Sequence, residues 1–401
     1  MIPTLVVLRS KKWFALLIGT LVSIPVVAEI ENIDKNASPL EVSVGVTSND
    51  SLNPLITDNT KAYGYVVNAK GSLVAINEST WWQFDYQGSY EDYQLSDESL
   101  GFDESQDFYT YNVRILSRTY VHESLTVDIQ GGHQQERQKY GEGITRFQEG
   151  VLSADTLTQN FVESTVVYGK DPKNTAVSVT LRWQEDQYDD VNDYAQLFEV
   201  SQLGLVVEGR YALSGATRFL ARFSARQDDY VDLTRVDNDV YRALIGIDWT
   251  ISGTSSLNFL VGGFQQNSAG DNDRDGFSWD IRYQYTPTDK SVLILSSNRI
   301  SALSEVEFSS ESVDEMYAVN WQYTVNDIWD FVLRLNWLDK ELEDLGVTRN
   351  IDQFDFEFDL GFSLSRYQKI HIGALRRDVS SSDNSVDYTQ NEVNIRWSYA
   401  F

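Results

Sequence analysis

The side chains able to do chemistry are abundant in this chain but rarely grouped. Its histidines, His122, His133 and His371, stand far apart and show no metal-ligand spacing. There is no cysteine, which removes thiolate zinc sites, iron–sulfur clusters, disulfide frameworks and cysteine nucleophiles. Asp271-x-Asp273-x-Asp275-Gly276 matches the first half of an EF-hand loop, but the position that needs a bidentate Glu is Arg282. A weaker surface calcium site in that acidic loop stays open; otherwise no metal and no cofactor is expected. Carboxylates are too numerous to single out a glycosidase pair. A Ser/His/Asp hydrolase finds no nucleophile motif here, so the expectation is a protein that is not an enzyme. The clearest spacing belongs to arginine: Arg218, Arg222 and Arg226 recur every fourth residue, which on a β-strand puts them on one face.

The elements that would carry these residues are strands. In Phe354-Asp-Phe356-Glu-Phe358-Asp-Leu360-Gly-Phe362 every second residue is large and apolar. A helix would scatter those rings around its circumference; a strand gathers them on one face. The same alternation runs through Val177–Trp183, Trp279–Tyr285, Tyr317–Tyr323, Phe331–Trp337 and Val393–Phe401. About eighteen such segments can be marked, among them 39–47, 160–168, 328–340, 352–365 and 387–401, and sixteen would also fit. Short turn-forming connections at 214–217, 252–254, 286–289, 326–327 and 366–368 alternate with longer acidic ones at 94–106, 141–159, 188–193, 267–276 and 380–385. The reading is an all-β, transmembrane antiparallel barrel with short periplasmic turns and longer acidic outer loops. Trp183, Tyr211, Trp249, Tyr285, Tyr323, Trp337, Trp397 and Tyr399 lie near the ends of the apolar runs, as aromatic belts do at lipid–water interfaces.

Residues 1–28 read as a secretory signal peptide: Arg9, Lys11 and Lys12, an apolar run to Val27, then small residues before Glu29. Residues 29–401 are then a single barrel domain. The formal charge of −28 excludes a nucleic-acid binder that works through phosphate contacts. Mean hydropathy of −0.34 looks soluble, yet alternation averages a lipid face with a wet one. The chain ends Trp397-x-Tyr399-x-Phe401, which resembles the C-terminal signal read by the outer-membrane barrel assembly machinery of Gram-negative bacteria.

With the aromatic and aliphatic face outward, the other face lines a lumen. That assigns Arg182, Arg210, Arg218, Arg222, Arg226, Arg242, Arg282, Arg334 and Arg396 inward, with Asp280, Asp355, Glu357 and Asp359 among the acids. Glu208, Asp248 and Glu392 join them. Two readings stand side by side: a transverse field that guides a hydrated polymer, or ion pairs that stiffen the wall. Tyr86, Tyr90 and Tyr93 are candidates for a stacking track near the outer mouth.

Four stretches carry a resemblance to a family: Val42-x-Val44-Gly45-Val46-Thr47-x-Asn49-Asp50, Trp82–Tyr93, Arg226-x-Asp228-Asp229-Tyr230 with Asp239-x-Tyr241 and Gly246-x-x-Trp249, and Asp387-Tyr388. They resemble the β-barrel porin family often encoded beside exopolysaccharide synthesis genes. The resemblance implies a bacterial outer-membrane porin-like channel serving exopolysaccharide export. Its partners would be outer-membrane lipid, the assembly machinery, a polysaccharide and export-complex proteins. A general or sugar diffusion porin, and a barrel with no transport role, are the alternatives.

Overall fold

The computed structural model describes residues 39–54, 60–96, 105–144, 153–171, 174–189, 192, 194–232, 237–268, 273–303, 311–344, 347–382 and 387–401. The expected signal peptide, 1–28, lies outside the described residues. The strands are β1 (Glu41–Asn49), β2 (Ala62–Asn77), β3 (Thr80–Leu95), β4 (Ser105–His122), β5 (Leu125–Arg137), β6 (Thr156–Asp171), β7 (Thr175–Tyr188), β8 (Val200–Ala212), β9 (Thr217–Tyr230), β10 (Asn238–Ser252), β11 (Ser255–Ser268), β12 (Arg274–Thr288), β13 (Ser291–Leu303), β14 (Glu311–Thr324), β15 (Trp329–Asp344), β16 (Val347–Ser365), β17 (Gln368–Ser381) and β18 (Tyr388–Ala400). Each pairs antiparallel with its sequence neighbours. β1 pairs with both β2 and β18, which closes an 18-stranded sheet into a barrel and leaves no edge. One 3-10 turn, Ala195–Phe198, lies between β7 and β8.

The tight connections share one rim. Ser214 and Thr217 close the β8–β9 turn through backbone and hydroxyl bonds. The Asn326 side chain accepts from the amides of Ile328 and Trp329, each at 2.9 Å, in the β14–β15 turn. The segment expected as a turn at 286–289 is mostly strand. Pro287 lacks an N–H, so the ladder skips from Tyr285 to Thr288 and the turn follows. By the rule of short periplasmic turns, this rim is periplasmic.

Facing follows from register, because cross-strand partners share a face. Val44 opposes Trp397 and Val67, Val67 opposes Tyr90, and the chain of apolar partners continues around the ring outside the barrel. On β15 the outward set is Trp329, Phe331, Leu333, Leu335 and Trp337. On β12 it is Phe277, Trp279, Ile281, Tyr283 and Tyr285. Each set spans roughly the 9–11 residues that a tilted strand needs to cross a bilayer core. Rings meet at both borders: Trp321 and Phe331 edge to face at 5.0 Å, Trp329 against Phe362 at 4.6 Å, and Tyr317 against Trp337 at 6.3 Å. An apolar, ring-bordered outside around a polar inside makes this an outer-membrane barrel.

That assignment predicts a face-dependent mutational effect on one strand. Leu181 points outward from the middle of β7 and is 54% exposed. Leu181→Arg should destabilise the barrel by about 2–4 kcal/mol at mid-bilayer. Thr180→Arg, on the inward face of the same strand, should cost far less. Denaturant titration of the barrel folded into lipid vesicles reads both.

Candidate functional site: the lumen and the shelf in its mouth

Every charged residue assigned to the lumen from sequence sits on the inward parity of its strand. The structure also gives most of them a local partner. Arg218 meets Asp248 at 3.1 Å, and Arg222 lies between Glu208 at 2.8 Å and Asp280 at 2.9 Å. Arg226 meets Asp228 at 2.8 Å, Arg210 meets Glu208 at 3.2 Å, and Arg182 meets Glu163 at 3.4 Å. Across the barrel, Arg334 bonds Glu357, Arg377 bonds Asp355, and Arg396 bonds Asp359, each at 2.9 Å. The arginine stripe on β9 and the acidic stripe on β16 are therefore each neutralised within their own wall. Arg242 differs: it donates to Ser278 Oγ and to the carbonyls of Trp279 and Arg299. Arg282 is exposed and makes no ion pair among the described residues. Between these walls, from β11 to β15, the inward positions include Asn258, Ser296, Asn298, Asn320, Gln322 and Asn336, neutral amides and a hydroxyl.

The wall is tight where β10 meets β11. Inward-facing Gly246 on β10 opposes Leu220 on β9 and Leu260 on β11. A Cβ at Gly246 would lie 1.8 Å from the Phe259 carbonyl oxygen, so only glycine permits this approach of the two backbones. Over it Leu220, Leu244 and Leu260 form a buried apolar cluster on the inner face.

Sequence reasoning missed an inward-folded shelf. Residues 138–144, after β5, turn into the outer mouth and lie against inward side chains of other strands. Lys139 Nζ bonds Glu91 on β3 at 2.7 Å and Glu392 on β18 at 3.4 Å. Tyr140 donates to Gln106 on β4 at 2.9 Å, and Glu142 holds Arg377 on β17 at 2.6 Å. The segment thus reaches from β5 across the inner surface to β17. Gly141, at φ +80°, makes the turn, and Tyr388 donates to its carbonyl at 2.9 Å. A small core supports the shelf: Leu52, Ala62, Tyr93, Phe108, Tyr140 and Ala154. A second joins Ile144 to Ala195 and Phe198 from the β7–β8 connection.

Asp155 ties that connection down, accepting from Asn192 at 2.7 Å and Tyr194 at 2.8 Å. Burial raises its carboxyl above the ordinary range despite both donors. The sequence signal for the shelf was weak: a Lys-Tyr-Gly-Glu-Gly run between a strand and a long loop, polar enough to read as solvent-exposed.

The stacking track on Tyr86, Tyr90 and Tyr93 does not exist. Tyr86 and Tyr90 face outward, and the Tyr86 hydroxyl donates to the Pro39 carbonyl near the periplasmic rim. Tyr93 faces inward but is fully buried in the shelf core. Strand parity decides this, since the neighbouring outward partners Val67 and Ile115 fix the face of β3. In the acidic 267–276 loop, Asp271 lies outside the described residues. Asp275 is already in β12, opposite Gln265, and Asp273 accepts from the Ser268 amide at 3.3 Å. Among the described residues no group of His, Asp and Glu is placed to hold a metal. At the periplasmic rim Trp397 and Tyr399 face outward, the Phe401 amide donates to the Leu40 carbonyl at 2.9 Å, and the Tyr399 and Phe401 rings meet at 4.7 Å.

No protein-family model matches the chain, and no curated protein does. Among solved structures it is similar to the siderophore receptor PirA of Acinetobacter baumannii, at 7% identity and TM-score 0.45 over 91% of this chain and 81% of that one. It is also similar to the FrpB iron transporter of Neisseria meningitidis, at 8% and 0.48 over 86% and 63%. The siderophore receptor PirA of Pseudomonas aeruginosa gives 9% and 0.42 over 90% and 80%. At this level of similarity no substrate passes from those proteins to this chain.

Proposed function

We propose that this protein is an outer-membrane channel for hydrated carbohydrate, serving the passage of an exopolysaccharide out of the cell. The observation that carries the reading is the lumen wall. Its strong charges are largely neutralised in pairs, and the β11–β15 face offers amides and hydroxyls. Such a surface exchanges hydrogen bonds with a polyhydroxylated chain without trapping it. Eighteen strands enclose a lumen on the scale of water-filled porin channels. The family resemblance of the sequence supplies the direction of transport. The outer-membrane assembly machinery would read the Trp397, Tyr399, Phe401 end, and export-complex proteins would meet the periplasmic rim.

The shelf favours a second reading, a diffusion porin for sugars, because a narrowed mouth suits small solutes. One pair of measurements separates them. Deleting the gene should sharply reduce secreted polymer while growth on single sugars is unchanged. Normal polymer secretion together with slowed sugar uptake would move the assignment to the diffusion porin.

A further inference from the structure

We propose that Ser398, His371 and Asp359 form a nucleophilic triad that hydrolyses short carboxylic esters in the periplasmic part of the lumen. The residues lie on adjacent strands β18, β17 and β16 and all face inward. His371 Nδ1 bonds Asp359 Oδ1 at 2.9 Å, and His371 Nε2 stands 3.5 Å from Ser398 Oγ. That is the order a serine nucleophile, an imidazole base and an orienting carboxylate require, and such contacts are commonly long before substrate binds. Arg396 Nη2 holds the other carboxylate oxygen at 2.9 Å, which leaves Oδ1 facing the imidazole. Asp359 meets a guanidinium through one oxygen, as other lumen carboxylates do, but its second oxygen holds an imidazole, which turns its far nitrogen to a hydroxyl. Ser398 Oγ also lies 3.5 Å from the Lys369 carbonyl, so its hydrogen has two acceptors.

A strand offers no spare backbone amides, so the developing oxyanion needs a side-chain donor. Ser43 is directly opposite Ser398 in the β1–β18 register. Its oxygen accepts from Asn68 Nδ2 at 3.0 Å, which leaves its own O–H to donate. Ser398 is 6% exposed, while the His371 side chain keeps 21% of its surface open; entry is limited to a small acyl group such as acetyl.

In the first step Oγ attacks the acyl carbon and its proton passes to Nε2. The carbon–oxygen bond to the alcohol then breaks, and Nε2 returns the proton to that oxygen. Water attacks the acyl-serine and gives a proton to Nε2. The bond to Oγ breaks, Oγ recovers the proton, and a carboxylic acid leaves. Nothing is oxidised or reduced. Ser398 and His371 are the catalytic residues; Asp359 is a positioning residue.

The full chain, refolded in detergent and checked by heat-modifiable migration, is treated with a fluorophosphonate and with p-nitrophenyl acetate. The expected result is a single phosphonyl adduct on Ser398 by peptide mass, absent from Ser398→Ala and His371→Gln. Ester turnover should fall to the buffer rate in both variants. Asp359→Asn should lower kcat and leave KM unchanged. No adduct on the folded wild-type barrel, or turnover that survives Ser398→Ala, would overturn the proposal. Wild-type kcat in Asp359→Asn would remove Asp359 from it. The outcome is independent of which solute the channel carries.

Discussion

Replacing Gly246 with valine is expected to abolish the closed barrel, and replacing it with alanine should come close to doing so. The first atom of any side chain there meets backbone: the Phe259 oxygen at 1.8 Å, the Phe259 carbonyl carbon at 2.7 Å and the Leu260 Cα at 2.8 Å. None of these atoms can swing aside as a flexible side chain would. Relief requires β10 and β11 to separate, which breaks the ladder running from Asn238↔Ser268 to Ser252↔Ser255. Overpacking costs about 1–3 kcal/mol where side chains can adjust, and a backbone collision exceeds that. Leu220, Leu244 and Leu260, now packed together over the glycine, would also be pushed apart. Gly209→Ala is the control: on β8, a Cβ there meets nothing within 4 Å. Outer-membrane fractions should contain folded Gly209→Ala barrel at wild-type levels and little or no folded Gly246→Val. Equal amounts of both would show that the meeting of β10 and β11 does not need glycine.

The fold was legible because the bilayer writes a simple code. Lipid outside and water inside force period-two alternation through each span, so Phe354 to Phe362 declared both the strand and its faces. Strand ends were less legible for the same reason. β6 was marked at 160–168 and runs Thr156–Asp171, and β15 was marked at 328–340 and runs Trp329–Asp344. Above the lipid the backbone ladder continues, but nothing demands an apolar side chain, so the pattern fades before the strand does. The lumen charges were assignable by parity. Their partners were not, since Arg222 and Asp280 lie on strands three apart in the ring. The grouping of Ser398 and His371 with Asp359 was not legible, because register alone brings the three together and no local motif marks it. The shelf escaped because its contacts, Lys139 to Glu392 and Glu142 to Arg377, join residues far apart in sequence through a closed ring that only three-dimensional structure supplies.

Lys139→Met should release the shelf and raise single-channel conductance in planar bilayers several-fold. Lys139 is the cation between Glu91 and Glu392. Removing it leaves two carboxylates crowded in the mouth; the groups are half-buried, so the loss falls below the about 3–5 kcal/mol that breaking a fully buried pair from one side costs. Burial penalises the ammonium, but Glu392 and Glu91 outweigh that and hold its pKa well above the ordinary lysine value. A raised pKa in the folded state means the contribution is complete below the ordinary lysine range and is lost only as pH rises through the higher value. Raising the pH from 7 towards about 10 should therefore leave the Lys139 contact, and the conductance it sets, unchanged. The neutral triple variant Lys139→Met, Glu91→Gln, Glu392→Gln is the decisive comparison. It removes the stranded charges along with the cation, so the Tyr140 core should re-dock the shelf and bring conductance back towards wild type. If Lys139→Met conducts like wild type, the shelf is held by its apolar core alone. If the triple variant stays as open as the single one, the ion pairs themselves, and not relief of carboxylate repulsion, keep the mouth narrow.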